Sequence, residues 1–64
     1  MNIKILVGID DCTLMVYSCS EEVYYFSVVD VMNQIYTCNS GFPSFGSAKL
    51  MGTSAIKRLT AERD

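Results

Sequence analysis

Two adjacent pairs of carboxylates are the residues of this chain most able to do acid–base chemistry. They are Asp10–Asp11 and Glu21–Glu22, and both pairs fall between predicted strands, where turns are expected. Solvated acidic turns are the simplest interpretation. His, the commonest general base in enzymes, is absent. Successive turns of an antiparallel sheet lie at opposite ends of it, so the two pairs are not expected to converge on one catalytic or metal site. We therefore predict that the chain is not an enzyme.

The cysteines predict neither a metal site nor a disulfide framework. Cys12, Cys19 and Cys38 are an odd number and include no CxxC pair. A zinc site needs Cys or His in pairs at short spacing, so we predict no metal and no cofactor. Three free thiols suit a reducing cytoplasm. Residues 1–8 are too short an apolar run for a signal peptide or a membrane span, and no membrane association is expected.

Charge is distributed unevenly along the 64 residues, whose formal net charge is −2. Residues 1–32 carry one Lys against five carboxylates, a charge of −4, and residues 33–64 carry four cations against two carboxylates, a charge of +2. The acidic half predicts a partner-binding acidic face, consisting of Asp10, Asp11, Glu21, Glu22 and Asp30. An acidic chain lacks the basic footprint of a general nucleic-acid binder, so direct binding to nucleic acid is the disfavoured alternative. That alternative would use Lys49, Lys57, Arg58 and Arg63.

Alternating apolar residues predict a three-stranded antiparallel sheet in the first part of the chain. The strands span about residues 2–9, 13–18 and 22–26, and short turns between them favour a meander. In the first strand, Ile3, Ile5, Val7 and Ile9 alternate onto one face.

The apolar spacing then changes to a helical period. Val28, Val31, Met32, Ile35 and Tyr36 form one stripe, which predicts a helix over residues 28–37 packed on the sheet. Ser27 and Asp30 are suited to its first turn. A short C-terminal helix is predicted over about residues 54–62, after an interruption at Gly52. The fold class is α+β, in one small domain of residues 1–64.

A surplus of apolar and aromatic side chains points to an interface. Hydrophobic residues make up 50% of the chain, and a domain this small buries only about 60% of the surface that its unfolded chain exposes. Some apolar groups should therefore lie on the surface, where contiguous apolar area usually marks an interaction site. The predicted apolar contacts are Tyr24, Phe42 and Phe45. A homodimer is a possible assembly.

The segment of residues 21–32, EEVYYFSVVDVM, resembles the start of the BRO amino-terminal domain of phage antirepressors. That family runs a strand ending in an aromatic pair, here Tyr25–Phe26, into a helix with an opening like residues 27–31. Residues 55–59 resemble its basic second helix, but the aromatic and basic cluster that follows the first helix in the family is missing. The resemblance implies descent from a phage or another mobile element.

Three functions are consistent with these observations. The first is a non-catalytic inhibitor in the bacterial cytoplasm that binds a host protein or nucleoprotein complex through an acidic face. Such a protein would be of the general kind that anti-CRISPR proteins represent, or a DNA mimic. The second is a truncated BRO-like module that binds DNA or acts as an antirepressor. The third is a small homodimeric regulatory subunit.

Overall fold

An antiparallel meander of four strands forms the sheet in the computed structural model, which describes residues 2–20, 22–38 and 40–63. The elements are β1 (Asn2–Ile9), β2 (Cys12–Ser20), β3 (Val23–Val29), β4 (Ile35–Thr37) and the helix α1 (Phe45–Arg63). Neighbours in the sheet are also neighbours in the chain, in the order β1-β2-β3-β4. The predicted α+β class and antiparallel meander are confirmed. The sheet has four strands rather than three, and β2 and β3 are longer than predicted.

A bulge in β1 alters the predicted alternation of its isoleucines. Ile3 pairs with Tyr17 and Ile5 pairs with Val16, which leaves one extra residue, Lys4, on β1. Cross-strand partners point to the same side of a sheet, while adjacent residues point to opposite sides. Ile3 therefore shares a side with Tyr17, away from Ile5, and the prediction that all four isoleucine and valine positions of β1 share one face is wrong.

The helix predicted over residues 28–37 is not formed. Residues 28 and 29 continue β3, residues 30–34 form a turn, and Ile35–Thr37 form the edge strand β4. Val28, Val29 and Val31 are β-branched, and such residues favour strands over helices. The Oδ1 atom of Asp30 accepts the backbone N–H groups of Met32 and Gln34, both at 2.9 Å. The carboxylate thus stabilises a turn instead of a helix start.

α1 is twice as long as the predicted helix over 54–62, because it begins at Phe45. Ser44 caps it: its Oγ accepts the N–H of Ser47 at 3.1 Å, and its carbonyl accepts the N–H of Ala48 at 3.2 Å. Gly52 does not interrupt the helix. It lies close to the sheet, where an added Cβ would be 2.5 Å from Cδ1 of Leu14.

The core lies between α1 and one face of the sheet. Its fully buried side chains are Cys12, Leu14, Val16, Val28, Ala48 and Ile56. The strand residues in this set alternate along β2, and Leu14 is the cross-strand partner of Val28. α1 thus covers one face of the sheet, and we call that side the covered face.

Candidate functional site

The acidic pair Asp10–Asp11 forms the whole two-residue turn between β1 and β2. Ile9 pairs with Cys12 across it, and the two aspartates have φ values of 49° and 67°. Positive φ at both central residues defines the type I′ hairpin turn, for which Asn-Gly and Asp-Gly are the favoured sequences. Both side chains are exposed. Charge therefore occupies a position where glycine would be accommodated with less backbone strain.

The second acidic pair belongs to the hairpin between β2 and β3. Glu22 is exposed and has a φ of 67°, and non-glycine residues rarely adopt this left-handed conformation. Glu21 lies outside the described residues. A second two-residue connection thus carries an acidic residue at positive φ.

Asp30 has a structural role that the acidic-face prediction did not include. Besides the two backbone N–H groups, its Oδ2 lies 3.1 Å from the hydroxyl of Tyr36, which also lies 2.8 Å from Oε1 of Gln34. The hydrogen bond to Asp30 is the main cause that raises the pKa of the Tyr36 phenol, followed by desolvation and by the negative charge of Asp30.

The structure divides the predicted acidic face into two groups. Asp10, Asp11 and Asp30 lie at one end of the sheet, and Glu22 lies at the other. β2, with nine residues, separates its two flanking turns by about 30 Å at about 3.3 Å per residue. The expectation that consecutive turns lie at opposite ends is confirmed. We call the first group the acidic end.

The three predicted aromatic contacts are half-buried and pack on the core. Tyr24 and Phe42 exchange backbone hydrogen bonds of 2.9 and 2.8 Å, which extend the edge of the sheet beyond β4. The ring of Phe42 lies 5.9 Å from that of Phe26. Phe45 begins α1. These rings hold the segment that connects the sheet to α1 against the core.

The predicted cations do not form one stripe on α1. Lys49, Lys57 and Arg58 are exposed. Lys49 and Arg58 are nine residues apart, about 2.5 turns at 3.6 residues per turn, so they lie on opposite sides of the helix. Arg63 belongs to α1, but its side chain lies outside the described part of the structure. This arrangement gives little support to a phosphate-binding surface.

A shallow polar recess of about 520 Å³ lies at the end of the sheet opposite the acidic end. It is lined by Asn2, Lys4, Ser18, Cys19, Ser20, Glu22 and Tyr24. Its charged groups are one amine and one carboxylate, both on exposed residues. Among the described residues there is no group of three or more Cys, Asp or Glu side chains placed to hold a metal ion.

The feature that sequence analysis did not identify is the second face of the sheet. Its side chains form three rows in the cross-strand register: Ile3, Tyr17 and Tyr25; Leu6, Met15, Ser27 and Thr37; Gly8, Thr13, Val29 and Ile35. We call these eleven residues the open face. A signal for it exists in β2 and β3, where apolar residues occupy successive positions, the pattern of strands that are buried on both sides.

The cysteines are free thiols in three different environments. Cys12 is buried in the core, Cys19 is exposed, and Cys38 is half-buried. The sulfur of Cys38 accepts the backbone N–H of Phe26 at 3.2 Å, so it continues the pairing of β3 just beyond β4. Cys12 and Cys38 are thus both engaged in the fold.

Comparison with protein-family models, with curated proteins and with solved structures gives no match for this chain. No helix in the described ranges is long and apolar enough to cross a membrane. Function is therefore inferred from the geometry of the acidic turns and of the two sheet faces.

Proposed function

We propose that this chain is a non-catalytic inhibitor that binds a host protein or nucleoprotein complex through its acidic end. The observation that carries the proposal is the acidic hairpin turn, in which both central residues, Asp10 and Asp11, have positive φ and exposed carboxylates. Glu22 repeats the feature in the second hairpin.

The backbone conformation of these turns has a cost in free energy. An L-residue in the left-handed region is disfavoured by about 1–2 kcal/mol, although Asp tolerates it better than most. Asn-Gly would satisfy the same turn with less strain. Carboxylates at such positions cost stability in the isolated chain. A role for their charge in recognition accounts for that cost, since backbone strain in proteins concentrates at functional sites.

The acidic end suits a basic surface on the partner. Two exposed carboxylates, Asp10 and Asp11, project at this end of an elongated molecule whose longest dimension is 38 Å, and Asp30 lies at the same end of the sheet. Complementary charge accelerates association and selects the partner. Because Glu22 lies about 30 Å away by strand length, we infer contact with a local basic patch, not imitation of a continuous row of DNA phosphates.

A host complex is proposed as the target on the sequence resemblance of residues 21–32 to phage antirepressor domains, although the helix that opens at residues 27–31 in that family is replaced here by the end of β3. Proteins of phage and mobile elements commonly act on host machinery that handles nucleic acid, where basic surfaces are frequent. The bacterial cytoplasm is the proposed compartment on the same ground.

The test is capture of a partner from nuclease-treated bacterial lysate by the tagged protein and by Asp10→Asn/Asp11→Gly. This variant removes two charges while improving the turn, so the fold should become more stable by about 0.5–1 kcal/mol as the captured partner is lost. Lys57→Gln/Arg58→Gln, which also removes two charges, is the control and should capture normally.

Two results would contradict the proposal. One is equal capture of the partner by the folded Asp10→Asn/Asp11→Gly variant. The other is retention of nucleic acid alone, lost after nuclease or at ~0.5 M salt, because that behaviour belongs to a phosphate-binding protein.

A further inference from the structure

The open face has a composition that is unusual for a sheet surface in water. None of its eleven residues is charged, and seven of them are large apolar or aromatic residues. An antiparallel sheet with one face in solvent ordinarily carries polar residues there. Leu6 is 65% exposed and Ile35 is 70% exposed. No helix lies over this face in the described part of the chain, since α1 packs on the covered face.

The centre of the open face carries aromatic residues of the kind that anchor interfaces. Tyr17 and Tyr25 are cross-strand partners whose rings stack with their centroids 5.7 Å apart. Stacked rings are held in place before any partner arrives, so little side-chain entropy is lost on binding. Tyrosines in such positions often contribute most of the binding energy.

We propose that a second copy of this chain covers the open face, so that two sheets form a sandwich with the two helices outside. The register of the rows supports this occupant. A twofold axis that runs parallel to the strands, between β2 and β3, places β1 over the partner's β4 and β2 over the partner's β3.

This symmetry matches large residues with small ones. The axis places Gly8 of one copy opposite Ile35 of the other, and Leu6 opposite Thr37. It likewise places Met15 opposite Ser27 and Thr13 opposite Val29. Large side chains therefore meet small ones, as the interdigitating inner faces of a sandwich require. Tyr17 meets Tyr25. The face is thus complementary to itself in size, and it has no charge to desolvate.

The available area suits a weak, concentration-dependent dimer. Strands about 4.8 Å apart, rows about 6.6 Å apart and a side-chain width of about 6 Å give a flat footprint of roughly 20 by 20 Å. Two copies would bury about 800 Å² before the uneven surface of the side chains is counted, an area typical of weak, reversible association.

The strand edges are less suited to self-association than the face is. β1, at one edge, contains the bulge at Lys4, and bulges and lysines are devices that block pairing of edge strands. β4, at the other edge, has only three residues. Pairing through either edge would also leave the open face in water.

The test compares two leucines of equal exposure on different surfaces. Leu6 is 65% exposed on the open face, and Leu50 is 66% exposed on the outer side of α1. The wild-type chain should sediment as a concentration-dependent dimer of twice 7.1 kDa. Leu6→Lys should raise the dimer dissociation constant by about 100-fold or more, because each interface would bury two unpaired charges. Leu50→Lys should leave it unchanged.

A second matched pair guards against misfolding of one variant. Ile35 is 70% exposed on the open face, and Met32 is 75% exposed in the turn between β3 and β4. Ile35→Lys should dissociate the dimer and Met32→Lys should not, with circular dichroism of all four variants matching the wild type. A wild-type chain that stays at 7.1 kDa at every concentration, or equal dissociation by the control variants, would overturn the proposal.

Discussion

The two faces of the sheet are built by alternate residues of the same strands, yet their environments are opposite. On the covered face, Leu14, Val16 and Val28 have no exposed surface. On the open face, Leu6 and Ile35 remain mostly exposed although they are equally apolar. One helix can shield only one side of a sheet. Burial in the described part of the chain is therefore decided by the position of α1 and not by the apolar pattern of the strands.

Truncating one leucine on each face should give the widest difference in the free energy of unfolding. Leu14→Ala should lower the free energy of unfolding by about 2–5 kcal/mol, because it removes a fully buried side chain and leaves a cavity. Leu6→Ala should lower it by less than about 0.5 kcal/mol in dilute solution, as for other surface substitutions. Denaturant unfolding at several protein concentrations measures both values.

The dependence of each stability loss on protein concentration separates the two faces further. If a second copy covers the open face, the effect of Leu6→Ala should grow with protein concentration, since dissociation is then linked to unfolding. The effect of Leu14→Ala should be large at every concentration. Equal losses for the two variants in dilute solution would mean that the faces do not differ as described.

A smaller effect is expected from filling space at the helix. Gly52→Ala should destabilise by about 1–3 kcal/mol, because a Cβ there would collide with Leu14 and press on Phe26 at 3.3 Å. Gly46, in the same helix, has nothing within 4 Å of the equivalent position. Gly46→Ala should stabilise by about 0.5–1 kcal/mol through helix propensity. Thermal unfolding of both variants would reveal the opposite signs, and a shared sign would contradict the close approach at Gly52.

Much of the sheet could be predicted from sequence because its turns and strands are local features. Alternating apolar residues and the Asp10–Asp11 turn identify the first hairpin, and β2 and β3 follow from β-branched and aromatic residues. The bulge at Lys4 could not be predicted, because one extra residue in a strand leaves no compositional signal. It reverses the side on which Ile3 lies.

The helical elements were harder to predict because two periodicities competed. Residues 28–36 fit a helical stripe, but their valines favour a strand, and tertiary pairing with β2 decided between them. For α1, Ser44 was a usable capping signal. Gly52 was interpreted as a break because glycine disfavours helices. The sequence does not show that Cδ1 of Leu14 lies 2.5 Å from the position where a Cβ would be.

The candidate site was predictable residue by residue, but not as an assembly. Asp10, Asp11 and Glu22 lie at turns as expected, and their separation to two ends follows from the meander. The role of Asp30 in a turn depends on β4, which was not predicted. Identifying the open face requires the register of all four strands. Composition alone does not show which residues are cross-strand neighbours when they are far apart in sequence.

Removing the hydroxyl of Tyr36 should change the stability least. Tyr36 lies at the boundary of the covered face, where it pairs with Val28. The pKa of Tyr36 is raised because its hydroxyl donates to Asp30 and its ionised form would face that negative charge. The contribution of this bond to stability should be complete below the usual tyrosine pKa of about 10 and lost as pH rises through the higher folded-state value. Tyr36→Phe should therefore differ from the wild type near neutral pH and converge with it in strong alkali. A difference that stays constant through the phenolate absorbance transition would show that the hydroxyl of Tyr36 does not hold β4 against the turn at Asp30.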